Sequence, residues 1–291
     1  MILGLDVRDR SVCALLVDEQ GAIAARESCP ARTTAAVADI VRAIDGDAPA
    51  SLGVAVRDPV DPAAVELTAA AAGALRLAGP PRVVTKGSAV VAAEQWRGAA
   101  QGARHVVALT TGECVHAGIL IDGRIFEGAH GLAGAAGWLA LNPVERDDYR
   151  RVGCLAAEVG ADGIVRRLAW RVKAGDRSKA LDLAGGNLSA ITVQHVFEAA
   201  RARDPVAISV VRDTARYVGM AIGNLVAIVD PEVVVLSGLI ADACDLLLEP
   251  VRTEVARRIA SRSAGALQIV AGILGDDAAA LGAARAAMLA R

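Results

Sequence analysis

Residues 2–26, ILGLDVRDRSVCALLVDEQGAIAAR, decide the first part of the fold. Apolar residues dominate three runs, at Ile2–Val7, Val12–Val17 and Ala22–Arg26, and residues 18–21, DEQG, are of the types that form turns. Apolar runs joined by short polar turns predict consecutive strands. The chain is therefore expected to begin with a three-stranded β-meander and not with a strand–helix–strand unit.

Helices and strands are predicted to alternate after this meander. Hydrophobic periodicity indicates helices over 35–44, 62–75 and 89–97, and short strands over 52–56 and 82–85. A mixed sheet with helices beside it is typical of an α/β lobe.

A second meander is predicted from about residue 104. Three runs, His105–Thr111, Val115–Ile121 and Arg124–Phe126, have strand composition, and Asp122–Gly123 has the composition of a two-residue hairpin turn. Further along, Asp204 and Pro205 form the start signal of a long helix. We predict an N-terminal lobe over 1–103 and a larger lobe over 104–275, with a C-terminal helix at about 276–291 that packs back on the first lobe.

The composition favours a folded protein that works with small molecules. Apolar residues make up 54% of the chain, and the formal net charge of −2 gives no basic face, so we expect no direct binding to nucleic acid. The start of the chain has no basic n-region, and its apolar stretches are shorter than the roughly 20 residues of a membrane span, so a cytoplasmic protein is predicted. The five cysteines have no paired spacing, which predicts neither a disulfide framework nor a zinc cluster.

Six segments, in order along nearly the whole chain, resemble those of ROK (repressor, ORF, kinase) sugar kinases. They are Gly4–Asp18, Gly53–Asp61 (GVAVRDPVD), Leu109–Gly123, Phe126–Trp138 (FEGAHGLAGAAGW), Asn224–Gly238 (NLVAIVDPEVVVLSG) and Leu274–Ala284 (LGDDAAALGAA). The resemblance implies a two-lobed α/β fold of the actin-like or ribonuclease-H-like ATPase type, with a central cleft. We also predict a homodimer, to which the long helix near Ile208 contributes.

The resemblance implies a nucleotide site whose glycines are mostly replaced. Active members have a GlyGlyThr turn in the first hairpin, where backbone amides approach phosphates closely, but residues 8–10 here are Arg-Asp-Arg. The second hairpin keeps Gly112 but has Glu113 and Cys114 where the family has ThrGly. If nucleotide binding is retained, the residues that the resemblance assigns to it are Asp6, Thr111, Gly112, Ser237 and Gly238. We predict no certain cofactor, since these changes argue against ATP with Mg²⁺.

The catalytic base of the family is also replaced. The AsnAsp pair that provides it in active members falls on Thr85 and Lys86. A lysine, with an ordinary pKa of about 10.4, is protonated at neutral pH and cannot accept the proton of a sugar hydroxyl. No catalytic residue is therefore predicted.

The sugar and zinc positions of the family differ too. Ala135 and Trp138 stand where active members have the Glu and His that bind sugar hydroxyls, and of the zinc-binding CxCGxxGC loop only Gly153 and Cys154 remain. We therefore predict no zinc. The candidate ligand-pocket residues are Asp58, Thr85, Lys86, Gly134, Ala135 and Trp138, and Trp138 could either stack on a ligand or fill the core.

These changes predict a catalytically impaired ROK homologue, a pseudoenzyme that binds a small sugar-like ligand or has a regulatory role in carbohydrate or secondary metabolism. One alternative is a divergent ATP-dependent, glucokinase-like sugar kinase in which Asp58 or Asp61 has become the base. Another is a ROK transcriptional regulator without its DNA-binding domain, because the chain is expected to start directly at the first strand.

Overall fold

The computed structural model describes residues 1–30, 32–44, 49–75, 77, 79–112, 114–260, 263 and 265–290. The chain divides into two compact units. Unit 1 consists of Met1–Ala108, Ala117–Gly134 and Gly272–Arg291, and unit 2 consists of Leu109–His116 and Ala135–Ala271. The sequence division between residues 103 and 104 differs from this one, because residues 104–108 and 117–134 also group with unit 1.

Within the described residues the strands form two five-stranded sheets, so the predicted α/β class is confirmed. The strands are β1 (Ile2–Val7), β2 (Val12–Val17), β3 (Ile23–Cys29), β4 (Ser51–Val56), β5 (Arg82–Thr85), β6 (Val106–Thr111), β7 (His116–Ile121), β8 (Arg124–Ile125), β9 (Val233–Gly238) and β10 (Gln268–Ala271). The strand orders are β3-β2-β1-β4-β5 and β10-β9-β6-β7-β8.

The helices lie mainly between and after these strands. They are α1 (Thr34–Ala43), α2 (Pro62–Leu75), α3 (Lys86–Arg97), α4 (Asp147–Val152), α5 (Cys154–Val159), α6 (Ala161–Lys173), α7 (Lys179–Leu183), α8 (Val193–Arg201), α9 (Pro205–Val229), α10 (Leu239–Asp242), α11 (Cys244–Ala256) and α12 (Ala278–Leu289). In the described part of the chain, no helix is both long and apolar enough to cross a membrane.

The first sheet begins with the predicted meander. Strand β1 pairs antiparallel with β2 and parallel with β4, β2 pairs antiparallel with β3, and β4 pairs parallel with β5. Alternate residues of a strand face opposite sides of a sheet. Leu3 and Leu5 pack with α1 and α2 on one side, and Ile2 packs with α12 on the other. Asp6, four residues after Ile2, therefore points to the side of the sheet that carries α12.

Glycines let α12 lie directly on this sheet. A Cβ added to Gly4 of β1 would be 2.0 Å from the carbonyl oxygen of Ala280, and one added to Gly53 of β4 would be 1.8 Å from that of Ala283. Since Gly4 and Gly53 are paired in the parallel register, they form one flat surface for the helix. Alanine-rich α12 and these glycines together give a backbone-to-backbone contact.

Helix α3 begins earlier than predicted. The sequence indicates a helix from Ala89, but the structure starts it at Lys86, with Thr85 as its N-cap. The hydroxyl oxygen of Thr85 accepts a hydrogen bond from the backbone N–H of Ser88 at 3.2 Å, which satisfies one of the free donors of the first turn. Glycine at position 87 weakens the helix signal, yet it is required here, because a Cβ would lie 2.3 Å from the carbonyl oxygen of Ala117.

Two local predictions in the second half of the chain are confirmed. Asp122 and Gly123 connect β7 and β8 with positive φ angles of 53° and 74°, as a tight hairpin turn requires. Asp204 caps α9 by accepting a hydrogen bond from the N–H of Ala207 at 2.7 Å, and Pro205 is the first helical residue. Helix α9 spans 25 residues and is the longest element that the structure describes.

Candidate functional site

Two basic side chains neutralise Asp6 in unit 1. Its Oδ2 accepts a hydrogen bond from Arg8 Nε at 2.6 Å, and its Oδ1 lies 3.3 Å from Lys86 Nζ. The Asp6 side chain is 5% exposed. Oδ1 has no hydrogen bond of good geometry among the described residues, so Lys86 acts on it as a nearby charge. Burial opposes the charge of Arg8, but the hydrogen bond and charge of Asp6 outweigh it, and the pKa of the Arg8 guanidinium is raised.

This arrangement does not fit a magnesium ion. Mg²⁺ is held in proteins by carboxylate oxygens that are free to coordinate it. Here the single carboxylate already faces one guanidinium and one ammonium group. The residues of unit 1 around Asp6 therefore form a closed ion-pair cluster, which we call the Asp6 cluster (Asp6, Arg8 and Lys86).

The turn between β1 and β2 is closed by its own side chains. The backbone N–H of Arg8 donates to the carbonyl oxygen of Ser11 at 2.9 Å, and a guanidinium nitrogen of Arg8 donates to the carbonyl oxygen of Asp276 at 2.7 Å. The carboxylate of Asp9 lies 3.6 Å from the guanidinium of Arg57. Side chains with protein partners thus occupy the turn where the family resemblance requires bare glycine backbone.

Two other carboxylates that could have served as a relocated base bind the local backbone. Asp58 Oδ1 accepts a hydrogen bond from the N–H of Val60 at 3.0 Å. Asp61 Oδ1 accepts from the N–H of Ala63 at 3.3 Å, and its Oδ2 accepts from Arg32 at 3.2 Å. Both side chains therefore stabilise the loop before α2 and its first turn.

In unit 2, the predicted nucleotide residues meet at the ends of β6 and β9. The Oγ1 of Thr111 accepts a hydrogen bond from the backbone N–H of Ile240 at 3.2 Å, and Ser237 is buried on β9. Gly238 has φ = 68°, and a Cβ there would lie 2.0 Å from the carbonyl oxygen of Thr111, so only glycine fits. A Cβ on Gly112 would meet nothing within 4 Å, which leaves its backbone open on one side. Glu113 lies outside the described residues.

The residues predicted at the sugar position lie in different units. Gly134 belongs to unit 1, where its φ of 83° and its hydrogen bond from the Ala117 N–H at 2.7 Å fix a close turn. Ala135 and Trp138 belong to unit 2, where Ala135 precedes a short 3₁₀ turn, Ala136–Trp138, and Trp138 is its last residue. Trp138 is 59% exposed, which disfavours the core-filling alternative and leaves ring surface accessible for stacking.

The segment that the family holds with zinc does not fit a zinc ion in this chain. Cys154 is buried against Tyr149, Ala157 and Leu141 and is the only cysteine of the segment. Structural zinc needs four ligands in a tetrahedron. No group of three or more histidine, cysteine or acidic side chains is placed to hold a metal ion among the residues described.

A buried charge network holds this segment instead. Glu158 Oε1 accepts hydrogen bonds from the Tyr149 hydroxyl at 2.6 Å and from Arg146 at 2.9 Å, and its Oε2 accepts from Arg167 at 2.9 Å. Asp148 adds ion pairs to Arg146 at 2.6 Å and to Arg166 at 2.8 Å. We call these residues the Glu158 network. It joins α4, α5 and α6 through side chains.

The network predicts an unusual titration of the two tyrosines. Burial is the main cause that raises the pKa of Tyr149 above its ordinary value of about 10, followed by its hydrogen bond to Glu158. Burial and the charge of Glu158 also raise the pKa of Tyr217. Because the folded state favours the neutral phenols, their contribution to stability is present below pH 10 and is lost as the pH rises through the folded-state pKa values.

We therefore expect the phenolate absorbance at 295 nm to stay below half of its final amplitude at pH 10 in the native protein. The same chain unfolded in guanidinium chloride should have a midpoint near pH 10. The variant Glu158→Gln should lower the native midpoint, because it removes the negative charge beside both phenols. A native midpoint equal to that of the unfolded chain would contradict this prediction.

Comparisons with known proteins agree on one family. A family model described as "ROK family" matches residues 76–290. The chain is 33% identical to the glucokinase of Halalkalibacterium halodurans over 204 residues, which are 69% of this chain but 62% of that protein. It is 27% identical to the glucokinase of Streptomyces coelicolor over 98% of this chain and 96% of that one. It also shares 28% identity with the xylose repressor of Caldicellulosiruptor bescii, over 70% of this chain and 51% of the repressor.

Solved structures agree with the sheet topology. The structure of a ROK family glucokinase from Streptomyces griseus in complex with glucose and AMPPNP matches 99% of both chains, with a TM-score of 0.82 and 25% identity. A ROK family transcriptional regulator, a homologue of the E. coli MLC protein, matches 98% of this chain and 77% of its own, with a TM-score of 0.83 at 21% identity. The predicted sugar-kinase fold is therefore confirmed.

Proposed function

The chain belongs to the ROK family, and from this premise we propose that it is a catalytically impaired member that binds a small ligand. Its role is binding or regulatory, in carbohydrate or secondary metabolism. The observation that carries the proposal is the Asp6 cluster. Lys86 stands at the position of the family's base and is paired at 3.3 Å with the one carboxylate that remains at the implied metal position.

The charge arrangement supports the loss of phosphoryl transfer. Transfer to a sugar hydroxyl requires a base for its proton and positive charge that stabilises the phosphoryl group. In this chain the proton acceptor is replaced by an ammonium group, and the arginine of the first turn is bound to Asp6 and Asp276. The proton acceptor is therefore missing, and the arginine near the phosphate turn is already engaged by other groups of the protein.

A divergent kinase would need another base, and the two candidates are already engaged. Asp58 and Asp61 bind the backbone N–H groups of Val60 and Ala63, and Asp61 also binds Arg32, so both side chains are oriented toward their own loop and helix start. This favours the impaired homologue over the divergent kinase. As in the sequence-based expectation, we propose a cytoplasmic homodimer; light scattering tests its mass.

A thermal-shift screen tests ligand binding. A ligand that binds only the folded state raises stability by about 2.7 kcal/mol at 100 times its Kd. We expect at least one of glucose, N-acetylglucosamine and N-acetylmannosamine to raise the melting temperature, and ATP with Mg²⁺ to leave it unchanged. The variant Trp138→Leu should weaken the sugar shift. Trp170→Leu is the matched control, because Trp170 is similarly exposed, at 50%, elsewhere in unit 2.

Two results would overturn the proposal. If no sugar shifts the melting temperature, the ligand-binding part is wrong. If ATP with Mg²⁺ stabilises the protein, the nucleotide site is intact and the impaired homologue is the wrong interpretation.

A further inference from the structure

Unit 2 contains a pocket whose lining includes none of the residues predicted for nucleotide or sugar. Its volume is about 590 Å³, which is within the range of small-molecule sites. The described residues that line it come from the loop before α4 and from α4, α5, α6 and α9, between residues 141 and 220. The Glu158 network forms part of its wall, so the pocket lies on a fixed set of side chains.

Aromatic side chains are concentrated in this pocket, although the chain contains few aromatic residues. Aromatic residues are 2% of the sequence, yet both tyrosines, Tyr149 and Tyr217, and one of the three tryptophans, Trp170, line this pocket. Trp170 is 50% exposed and so presents ring surface to solvent. Val210 and Met220 add apolar surface. A flat apolar group is the natural partner of such a lining.

The lining also has more positive than negative side chains. Its cations are Arg146, Arg167, Arg171 and Arg216, and its anions are Glu158 and Asp213. Both oxygens of Glu158 are occupied by the Glu158 network, and its side chain is 3% exposed. Asp213 is 3.9 Å from the guanidinium of Arg216, a loose pair with both side chains about half exposed. Arg171 is paired with Asp176 at 2.5 Å and Arg146 with Asp148 at 2.6 Å. Arg216, beside the loosely paired Asp213, is therefore the lining cation most open to an anion.

Several of these groups are held in place before any ligand arrives. The guanidinium of Arg146 stacks over the rings of Tyr149, at 4.8 Å, and of Trp170, at 5.3 Å. That of Arg167 lies 5.9 Å from the ring centre of Tyr217, and its Nε is buried without a hydrogen-bond partner among the described residues. Fixed side chains lose little conformational entropy on binding, which favours affinity.

We propose that this pocket binds a small aromatic carboxylate. The ring would lie against Trp170 and Tyr217, and the carboxylate would take the place of Asp213 beside Arg216. A guanidinium recognises a carboxylate with two parallel hydrogen bonds, and an aromatic ring stacks on both arginine and aromatic faces. Neutral sugars have neither a carboxylate nor an aromatic ring and lack both contacts. The site is independent of the Asp6 cluster and of the proposed sugar ligand.

Calorimetry of the full chain with three probes tests the proposal. Benzoate carries both features, benzamide has the ring without the charge, and acetate has the charge without the ring. We expect saturable binding of benzoate, at least about tenfold tighter than that of benzamide or acetate. Benzamide and acetate each lack one of the two contacts that benzoate makes. Equal affinities for the three probes, or no binding of benzoate, would overturn the proposal.

Two arginine variants on α9 locate the site. Arg216→Gln should weaken benzoate binding about tenfold, because it removes a charge-assisted contact. Arg212→Gln is the matched control, since Arg212 is exposed on the same helix but does not line the pocket, and it should bind benzoate as the parent chain does. Unchanged binding by Arg216→Gln would overturn the proposal. The proposal would also be overturned if the parent chain did not bind benzoate and Arg216→Gln differed from it in molar mass. That result would assign the pocket to self-association.

Discussion

Replacing Glu158 with alanine is expected to lower the free energy of unfolding by about 3–5 kcal/mol, because it leaves buried positive charge without its partner. The carboxylate binds two guanidinium groups and one phenol, and its side chain is 3% exposed. Arg167 is the most affected, since its side chain is 13% exposed and burial already lowers the pKa of its guanidinium. Urea denaturation measures the loss.

Glu145→Ala is the matched control for this experiment. Glu145 also pairs with an arginine, Arg150, and also lies near α4, but both side chains are more than 70% exposed. Exposed ion pairs contribute about 0–1 kcal/mol and are screened by salt. Equal effects of the two alanine variants would show that the Glu158 network does not hold the segment.

The variant Gly282→Ala is expected to destabilise unit 1 by about 3 kcal/mol or more, because helices α12 and α3 touch through their backbones. A Cβ at this position would lie 1.7 Å from the carbonyl oxygen of Ala89. No side-chain rotation relieves this overlap, so one helix has to move. The glycine-mediated contacts of α12 with the sheet then resist that movement, since a Cβ at Gly4 would lie 2.0 Å from the Ala280 carbonyl oxygen and one at Gly53 1.8 Å from that of Ala283.

Gly73→Ala, which also replaces a helical glycine, is expected to change the free energy of unfolding in the opposite direction. Gly73 is inside α2, and a Cβ there would meet nothing within 4 Å. Alanine is preferred to glycine in a helix by about 1 kcal/mol, so this variant should be stabilised by up to that amount. Thermal or urea unfolding of both variants checks the prediction, and a stable Gly282→Ala would contradict the close approach of α12 and α3.

The sequence predicts those parts of the fold that depend on local patterns. The meander of β1–β3, the Asp122–Gly123 turn and the Asp204 cap all follow from residues within a few positions of each other. The start of α3 does not, because Gly87 suppresses the helix signal and is kept for its contact with Ala117, a residue far along the chain. A tertiary requirement overrides helix propensity there.

The candidate site is only partly predictable, for the same reason. Asp6 and Lys86 are each identified from the sequence, but their ion pair depends on the sheet order. Strands β1, β4 and β5 run parallel, so Asp6 near the end of β1 and Lys86 directly after β5 lie at the same edge. The pair is therefore predictable once the parallel order of these strands is known.

No pattern in the sequence predicts the Glu158 network. Arg146, Glu158 and Arg167 lie before or on three different helices, and no periodicity relates them. The sequence predicts that the segment has lost its zinc ligands. Only the three-dimensional structure shows the charges that hold it.

The central proposal is that phosphoryl transfer is lost, and steady-state turnover tests it most directly. Ordinary enzymes turn over at about 1–10³ s⁻¹, and loss of a general base costs about 10²–10⁴ in rate. We predict that ATP-dependent phosphorylation of glucose, N-acetylglucosamine and N-acetylmannosamine stays below about 1 s⁻¹ at saturating substrate. The Streptomyces coelicolor glucokinase, assayed in parallel, serves as the positive control. Turnover above about 1 s⁻¹ on any of the three sugars would contradict the proposal.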